Sequence, residues 1–236
     1  MTKKNRPSPK SSVKSRSSAR KRPKQKDSGR PFVTTYKAHR AKWDNCELCE
    51  LCNVRKRVVL ARGFIPCDIL LVGEAPGASE DVLGSAFAGP AGHLLDRAIN
   101  RAMDVEDWTQ RGVPIRVGLT NLIACIPKEI IRDEDSPSTF TVGKKIAEPA
   151  KQHIDACAER LRELYAIAKP KKVVCVGKLA EKFVPKILDV SIENMSGITH
   201  PAAVLRMDVS QKGLEYQRIC VQLEDLFDEY LEEQGT

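Results

Sequence analysis

Residues 67–81, CDILLVGEAPGASED, contain the pattern that determines the expected fold. Four apolar residues, 69–72, run directly into Gly73, and then Pro76, Gly77 and two acids follow. A continuous apolar run of this length is typical of a buried strand. The abrupt change to glycine, proline and acids predicts a turn at its carboxyl end. In open α/β sheets such turns commonly hold a ligand.

Short apolar runs alternate with helical patterns along the chain outside this stretch. The alternation predicts an α/β fold, a three-layer α/β/α sandwich with a central mainly parallel four-stranded sheet. The predicted strands are 68–73, 116–125, 171–177 and a weaker one ending near 197–201. The predicted helices are 89–103, 148–169, 178–188 and a C-terminal helix with Ile219, Leu223, Leu226, Phe227 and Tyr230 on one face. The polar signatures GEAPG, TN and THP then meet at the carboxyl ends of the strands.

The positive charge is concentrated near the N-terminus. Residues 1–42 hold fifteen lysines and arginines and one acid, a net charge of +14, whereas the other 24 basic and 30 acidic residues give −6. Because this segment has few apolar residues, we expect a disordered basic tail over 1–42 and one domain over 43–236. A flexible polycation gains affinity for nucleic acid by releasing counterions from phosphates. A solubilising tail or a nuclear-import signal around ARKRPKQK is the alternative.

The GEAPG turn lacks the features of a phosphate-binding loop. It has neither the Lys-Ser/Thr of a P-loop nor the Gly-x-Gly-x-x-Gly of a dinucleotide loop. Glu74, Glu80 and Asp81 would repel a phosphate. The turn can instead offer backbone groups and carboxylates to a neutral polar ligand, and an ordinary strand-to-helix turn is the alternative.

Three segments together resemble a known family. VGEAPGASEDVLGSAFAGPAGHLLDRAI, LTNLIAC and THPAAVLR follow in this order at predicted strand ends. The set resembles the uracil-DNA glycosylase superfamily, and within it the iron–sulfur family usually called family 4. The resemblance extends over almost all of the chain beyond the basic tail. It implies a uracil-DNA glycosylase-like fold and a DNA-repair enzyme that hydrolyses the N-glycosidic bond of uracil, leaving an abasic site.

The resemblance implies a base pocket whose polar wall comes from the first segment. Glu74 and the backbone around Ala75 should line it, and Glu80 should contact it. Superfamily members with Asp or Asn at the position of Ala75 use that side chain to position water. Ala75 has no such group, so Glu80, or else Glu74, is the candidate to assist the attacking water.

The resemblance also implies an aromatic, an amide and an imidazole in contact with the base. Phe87 should stack on the flipped uracil, since a base inside a duplex is out of reach of a catalytic pocket. Asn121 offers a donor and an acceptor to the uracil edge. His200 should donate to the uracil O2, where negative charge develops as the bond breaks.

Eight cysteines in a chain with no visible secretion signal suggest ligation of a metal or cluster before disulfides. The resemblance implies a [4Fe–4S] cluster on Cys46, Cys49, Cys125 and Cys157. Four thiolates suit iron–sulfur or zinc equally on chemistry alone, so zinc is the alternative. The repeat CELCELC also permits Cys49 and Cys52 as the N-terminal pair.

The chain departs from the family pattern at 128–147, where it is longer and carries acids at 133–135. No histidine occurs there, which argues against covalent capture of DNA by the route of the cross-linking relatives. Two alternatives to uracil removal stay open: a glycosylase-like DNA-binding module without catalysis, and a glycosylase for another deaminated base. The expected partner is DNA containing uracil, single- or double-stranded, with the tail on its phosphates. We expect a cytoplasmic, nucleoid-associated monomer without a membrane partner.

Overall fold

The central sheet of the described chain contains five strands in the order β1-β3-β2-β6-β7. A computed structural model provides the structure, and it describes residues 33–104, 115–132 and 140–235. Neighbours among β3, β2, β6 and β7 run parallel, and β1 pairs antiparallel with β3 at the edge. The bounds are β1 Ala61–Gly63, β2 Ile69–Gly73, β3 Val117–Asn121, β6 Lys172–Val176 and β7 Met195–Ile198.

Helices cover both faces of this sheet because its strands are apolar on both sides. On β2, Ile69 and Leu71 pack into one apolar cluster, and Leu70 and Val72 pack into the other. The first face carries α3 Pro90–Asp104, α6 Pro201–Arg206 and α7 Val209–Glu233, and the second carries α1 Tyr36–Trp43, α4 Lys151–Ala168 and α5 Lys178–Leu188. The short helix α2, Ala78–Leu83, follows the GEAPG turn.

The predicted three-layer α/β/α sandwich with a mainly parallel sheet is confirmed. All four predicted strands are present and parallel, and β1 is an additional edge strand that the sequence analysis did not predict. The second predicted strand, 116–125, is shorter in the structure, since β3 ends at Asn121. The amide N–H of Leu122 still donates to the carbonyl oxygen of Gly73 (2.8 Å), so the pairing with β2 continues to the last residue of that strand.

Helix α1 corrects the predicted boundary of the basic tail. Residues 36–42, assigned to the tail by composition, are helical, and Thr35 caps their first turn by accepting from the N–H of Ala38 (3.2 Å). His39 is fully buried, and its Nδ1 lies 3.1 Å from the Glu163 carboxylate on α4. The folded domain therefore includes α1, and the rest of the predicted tail, 1–32, lies outside the described residues.

Between Cys125 and α4, the described residues include two strands that pair antiparallel in a separate sheet. These strands are β4 Lys128–Arg132 and β5 Phe140–Ile146, and the acids at 133–135 lie outside the described residues. Among the helices that the structure describes, none is both long and apolar enough to cross a lipid bilayer.

Candidate functional site

The carboxyl ends of the parallel strands bring the GEAPG, TN and THP segments to one edge of the sheet. Strand β2 ends at Gly73 and β3 at Asn121, and these two residues are register partners. On the neighbouring pair, Gly177 follows β6, and His200 lies two residues beyond the end of β7. Gly73 therefore lies beside Asn121 at the ends of β2 and β3, and Gly177 lies beside His200 at the ends of β6 and β7.

Asn121 and Phe87 converge over Gly73. A Cβ atom at Gly73 would lie 2.5 Å from both the Oδ1 of Asn121 and the Cζ of Phe87, so no larger residue fits. The two side chains are 3% and 5% exposed. The structure therefore brings together the amide and the ring that the sequence assigned to base reading and base stacking.

Phe87 has a left-handed backbone with φ of 52°, which is strained for a residue with a side chain. Arg62 on β1 holds this turn from outside: its Nε donates to the carbonyl oxygen of Ala86 (2.5 Å), and its Nη2 donates to that of Phe87 (3.3 Å). Asp96 on α3 in turn accepts from the Nη2 of Arg62 (2.5 Å). The ring position of Phe87 thus depends on a residue of the edge strand.

Replacing Arg62 with alanine is expected to slow the reaction catalysed at this site about five- to twentyfold. The reason is that two charge-assisted bonds to the strained turn at Phe87 are lost. Lysine, which cannot serve two carbonyls in the same fork geometry, should recover little of it. Arg101→Ala is the matched control, because Arg101 pairs only with Glu224 on α7 in the described chain. Single-turnover rates of the three variants measure this, and a wild-type rate for Arg62→Ala would contradict it.

His200 caps helix α6 and has a defined hydrogen-bonding state. Its Nδ1 accepts from the N–H of Ala202 (3.1 Å), so in the neutral ring the hydrogen resides on Nε2. Burial, and then the positive charge of Arg206, lower the pKa of His200, with Glu80 opposing. The ring is therefore neutral near pH 7 and presents Nε2–H as a donor.

Gly177 allows His200 to approach the end of β6. Its φ of +92° favours glycine, and a Cβ there would lie 2.8 Å from the Cβ of His200. The rings of His200 and Phe87 lie 6.4 Å apart between centroids and are inclined by 27°. A stacking face, an amide and an imidazole donor therefore share one site.

The acids of the GEAPG segment have different environments. Glu80 is buried, and its Oε1 accepts from the N–H of Gly89 (2.8 Å), so it fixes the end of the turn that carries Phe87. Asp81 accepts from the backbone N–H of Lys56 (2.7 Å) and ties the cysteine-containing connector to this turn. Burial, followed by the charge of Glu148, raises the pKa of Glu74.

The side chain of Ala75 contributes no polar group to the site. This side chain is partly buried and packs against the apolar cluster on the face of α4 and α5. Any water-orienting side chain must therefore come from another position of the pocket.

Four of the eight cysteines line one cavity on the α4 face of the sheet. Cys46, Cys49, Cys125 and Cys157 are among the residues that line it, and Cys52 is not. Burial raises the pKa of the Cys49 thiol to about 11 and that of the Cys125 thiol to about 12. These groups stay protonated in an apolar cavity unless a bound cation replaces the proton.

Four thiols are chemically suited to zinc or to an iron–sulfur cluster. Among the residues that the structure describes, no three His, Cys, Asp or Glu side chains are placed to hold a single metal ion. Four thiolates on one zinc hold their sulfur atoms about 3.8 Å apart, because Zn–S bonds are about 2.3 Å long. An iron–sulfur cluster instead binds each thiolate at a different iron atom.

Two arginines lie at the cysteine cavity. Arg55 donates through Nη2 to the carbonyl oxygen of Cys46 (2.6 Å), and its Nη1 lies 3.6 Å from the Sγ of Cys125. Arg160 is 2% exposed, and its Nε has no hydrogen-bond partner in the described part of the chain. Two guanidinium groups and an unpaired donor fit an anionic group with sulfur acceptors, such as a cluster held by four thiolates.

Sequence reasoning missed three residues of the site: Arg62, Gly177 and Arg160. Gly177 could have been found from the sequence, because the same Val-Gly pair occurs at the ends of two predicted strands, at 72–73 and 176–177. In the structure, each of these glycines lies against a side chain of the site. Arg62 and Arg160 had no local signal, because their partners lie 24 to 40 residues away in sequence.

Comparison with known proteins places the chain among glycosylases. A family model described as "Uracil DNA glycosylase superfamily" matches residues 63–224. A type-4 uracil-DNA glycosylase of Pyrobaculum aerophilum is 29% identical over 181 residues, which cover 69% of this chain and 80% of that relative. One of Archaeoglobus fulgidus is 28% identical over 182 residues, covering 68% and 78%. One of Sulfurisphaera tokodaii is 30% identical over 155 residues, covering 66% and 59%.

Proposed function

The chain belongs to the uracil DNA glycosylase superfamily, and from that premise we propose that it removes uracil from DNA. The reaction hydrolyses the N-glycosidic bond and leaves an abasic site, so the protein is a base-excision-repair hydrolase. The observation that carries the proposal is the meeting of Phe87, Asn121 and His200 at the ends of adjacent strands, with a neutral imidazole fixed as an Nε2–H donor.

The three side chains meet the separate requirements of base recognition. Phe87 supplies a π face for a base taken out of the stack. Asn121 supplies an amide donor and acceptor to the uracil edge, and its burial excludes competing water. Glu74 lies in the GEAPG turn, and we assign it, with the backbone at Ala75, to the wall of the base pocket.

His200 acts where charge develops. As the bond between the sugar C1′ and uracil N1 breaks, the electron pair stays with uracil, and negative charge reaches O2. The Nε2–H of His200 donates to that oxygen in a buried setting, where a preorganised donor has its greatest effect. A neutral donor keeps its proton, so uracil departs as an anion while the sugar gains oxocarbenium character.

Water completes the reaction at C1′. We assign Glu80 to orient it, because the other oxygen of its carboxylate faces Gly77 at the turn that begins the pocket wall. Glu74 is the second candidate, since its raised pKa makes it the stronger base.

We propose that Cys46, Cys49, Cys125 and Cys157 hold a [4Fe–4S] cluster, with zinc as the alternative. When bound, such a cluster supplies a rigid, negatively charged cross-link among the connector, the chain after β3 and helix α4. The four cysteines that line one cavity and the two arginines beside them support the cluster.

Base selectivity tests the proposed function. Purified protein is incubated with oligonucleotides that are identical except for uracil, thymine or hypoxanthine at one position, followed by alkali. We expect strand cleavage at uracil in single-stranded or duplex DNA and none at thymine. Cleavage at hypoxanthine alone would show a glycosylase for another deaminated base, and binding without cleavage would show a DNA-binding module.

The basic segment 1–32, with twelve lysines and arginines and one acid, is proposed to contact DNA phosphates. Deleting residues 2–32 should weaken DNA binding and reduce the slope of log K against log salt by about two or more, because each phosphate that is no longer neutralised lowers the slope by about 0.7–0.9. The matched control keeps the segment and replaces its lysines and arginines with glutamine. Fluorescence anisotropy at several salt concentrations measures the slope. An unchanged slope in either variant would remove this segment from DNA binding.

We further propose that the protein acts as a monomer in the cytoplasm, where nucleoid DNA provides its substrate. Size-exclusion chromatography with light scattering tests the monomer.

A further inference from the structure

Arg160 lies between the cysteine cavity and the base-reading strand. It lines the cavity together with Cys46, Cys125 and Cys157, and Cys157 is three residues earlier on the same face of α4. Its guanidinium extends from there to the carboxyl end of β3, where Asn121 stands. One buried side chain therefore contacts both places that the proposed function uses.

Three hydrogen bonds connect Arg160 to the end of β3. Its Nη1 donates to the Oγ1 of Thr120 (3.2 Å), and its Nη2 donates to the carbonyl oxygens of Asn121 (2.5 Å) and Leu122 (2.8 Å). Thr120 in turn donates to the carbonyl oxygen of Leu60 (2.6 Å). These bonds fix the backbone from which the Asn121 amide extends over Gly73.

The charge of Arg160 requires an anion. All three of its acceptors are neutral oxygens, and a buried cation without a negative partner is costly. The cysteines at the cavity are the nearby groups that acquire negative charge, and they do so on binding a cluster. The unpaired Nε–H of Arg160 leaves one donor for an acceptor of that cluster.

We infer that Arg160 is a positioning residue that couples the cluster to base recognition. The cluster's negative charge stabilises the buried guanidinium, and the guanidinium holds Asn121 in place to read the uracil edge. This inference rests on the proposed function and extends it: the cluster acts on recognition through one side chain, with no redox step.

Arg160→Lys separates charge from geometry. Lysine keeps the positive charge but cannot serve three acceptors in a planar fork. We expect Arg160→Lys to retain iron, acid-labile sulfide and the visible absorption, and to release uracil about tenfold more slowly in single turnover. Arg160→Gln, which loses the charge, is expected to lose most of its iron.

The double variant with Asn121→Ala tests whether Arg160 acts through Asn121. In the Asn121→Ala background, Arg160→Lys should slow the reaction less than about twofold further. Arg162→Lys is the matched control: it is a guanidinium on the same helix that donates to the carbonyl oxygen of Ile187 (3.0 Å) and does not line the cavity, and its rate should equal the wild-type rate. Thr120→Val removes one acceptor of Arg160, together with the bond from Thr120 to Leu60, without touching a charge, and should slow release about threefold.

The outcomes are distinct. A wild-type rate for Arg160→Lys with full iron, or an undiminished tenfold effect in the Asn121→Ala background, would overturn the coupling. If Arg160→Lys fails to fold, Thr120→Val decides it, and a wild-type rate there overturns the coupling. If the wild-type protein releases no uracil, the proposed function is overturned instead. In that case, full iron in Arg160→Gln would overturn the role of Arg160 at the cluster.

Discussion

Replacing His200 with alanine is expected to lower the single-turnover rate of uracil release by about 10²–10³-fold, the usual cost of removing one oxyanion donor. The reason is local: His200 presents Nε2–H because the N–H of Ala202 occupies its Nδ1. Without that donor, the charge on uracil O2 is left to water, which reorganises as the bond breaks. Substrate binding should change far less, since the charge exists only late in the reaction.

His200→Asn separates this chemistry from helix capping. Alanine removes the cap of α6 and should cost about 1 kcal/mol of stability, whereas asparagine is a good N-cap and should keep it. Both variants should be slow, but only the alanine variant should melt earlier. His93→Ala, at an exposed histidine on α3, is the control with a wild-type rate. A wild-type rate for His200→Asn would exclude the imidazole from catalysis.

The dependence of the rate of uracil release on pH also tests the role of neutral His200. Because burial and Arg206 lower the pKa of His200, its neutral form predominates from below pH 6.5 upward. Protonating Nδ1 would also remove the acceptor of the Ala202 N–H. The rate should therefore stay constant as pH falls through 6.5 and decline only in more acidic solution.

Cys46→Ser is expected to abolish cluster binding, with iron falling to less than about one atom per chain and the visible band near 400 nm disappearing. Cys46 lines the cavity, and Arg55 holds its carbonyl group. Losing a ligand leaves the other buried thiols without their cation, so stability should fall sharply, as is usual when a metal site is lost.

Cys52→Ser is the matched control for that loss. Cys52 lies three residues from Cys49 but is not among the residues lining the cavity, so this variant should keep full iron. The reverse result, with iron lost from Cys52→Ser and kept in Cys46→Ser, would make Cys49 and Cys52 the N-terminal pair. Stoichiometric zinc in the wild-type protein would overturn the iron–sulfur assignment.

The four central strands were predictable because strands buried on both faces are apolar without interruption, as in ILLVG and VVCVG. Edge strand β1, with the sequence ARG, has no such run and forms only by pairing with β3. Helix α1 was missed for a related reason. Its lysines and arginine resemble the basic tail before it, and its burial depends on Glu163, more than 120 residues away.

The site residues at the ends of strands could be predicted from the sequence. Those that hold other site residues in place through hydrogen bonds could not. Asn121 and His200 come directly from strand ends, which meet in any parallel sheet. Arg62 and Arg160 donate to backbone carbonyls of distant segments. Because every residue has a backbone carbonyl, the sequence does not show which one an arginine will contact. The environment of Glu80 also needed the structure, since its bond to the N–H of Gly89 depends on how the Phe87 turn folds.

Measuring the free base shows directly whether the site of Phe87, Asn121 and His200 releases uracil from DNA. Protein with full iron content is incubated in excess over a uracil-containing oligonucleotide, and released uracil is quantified by mass spectrometry. We expect one uracil per site for the wild-type protein and release slowed about 10²–10³-fold for His200→Asn. No uracil above the level without protein, from folded protein that binds the oligonucleotide, would contradict it.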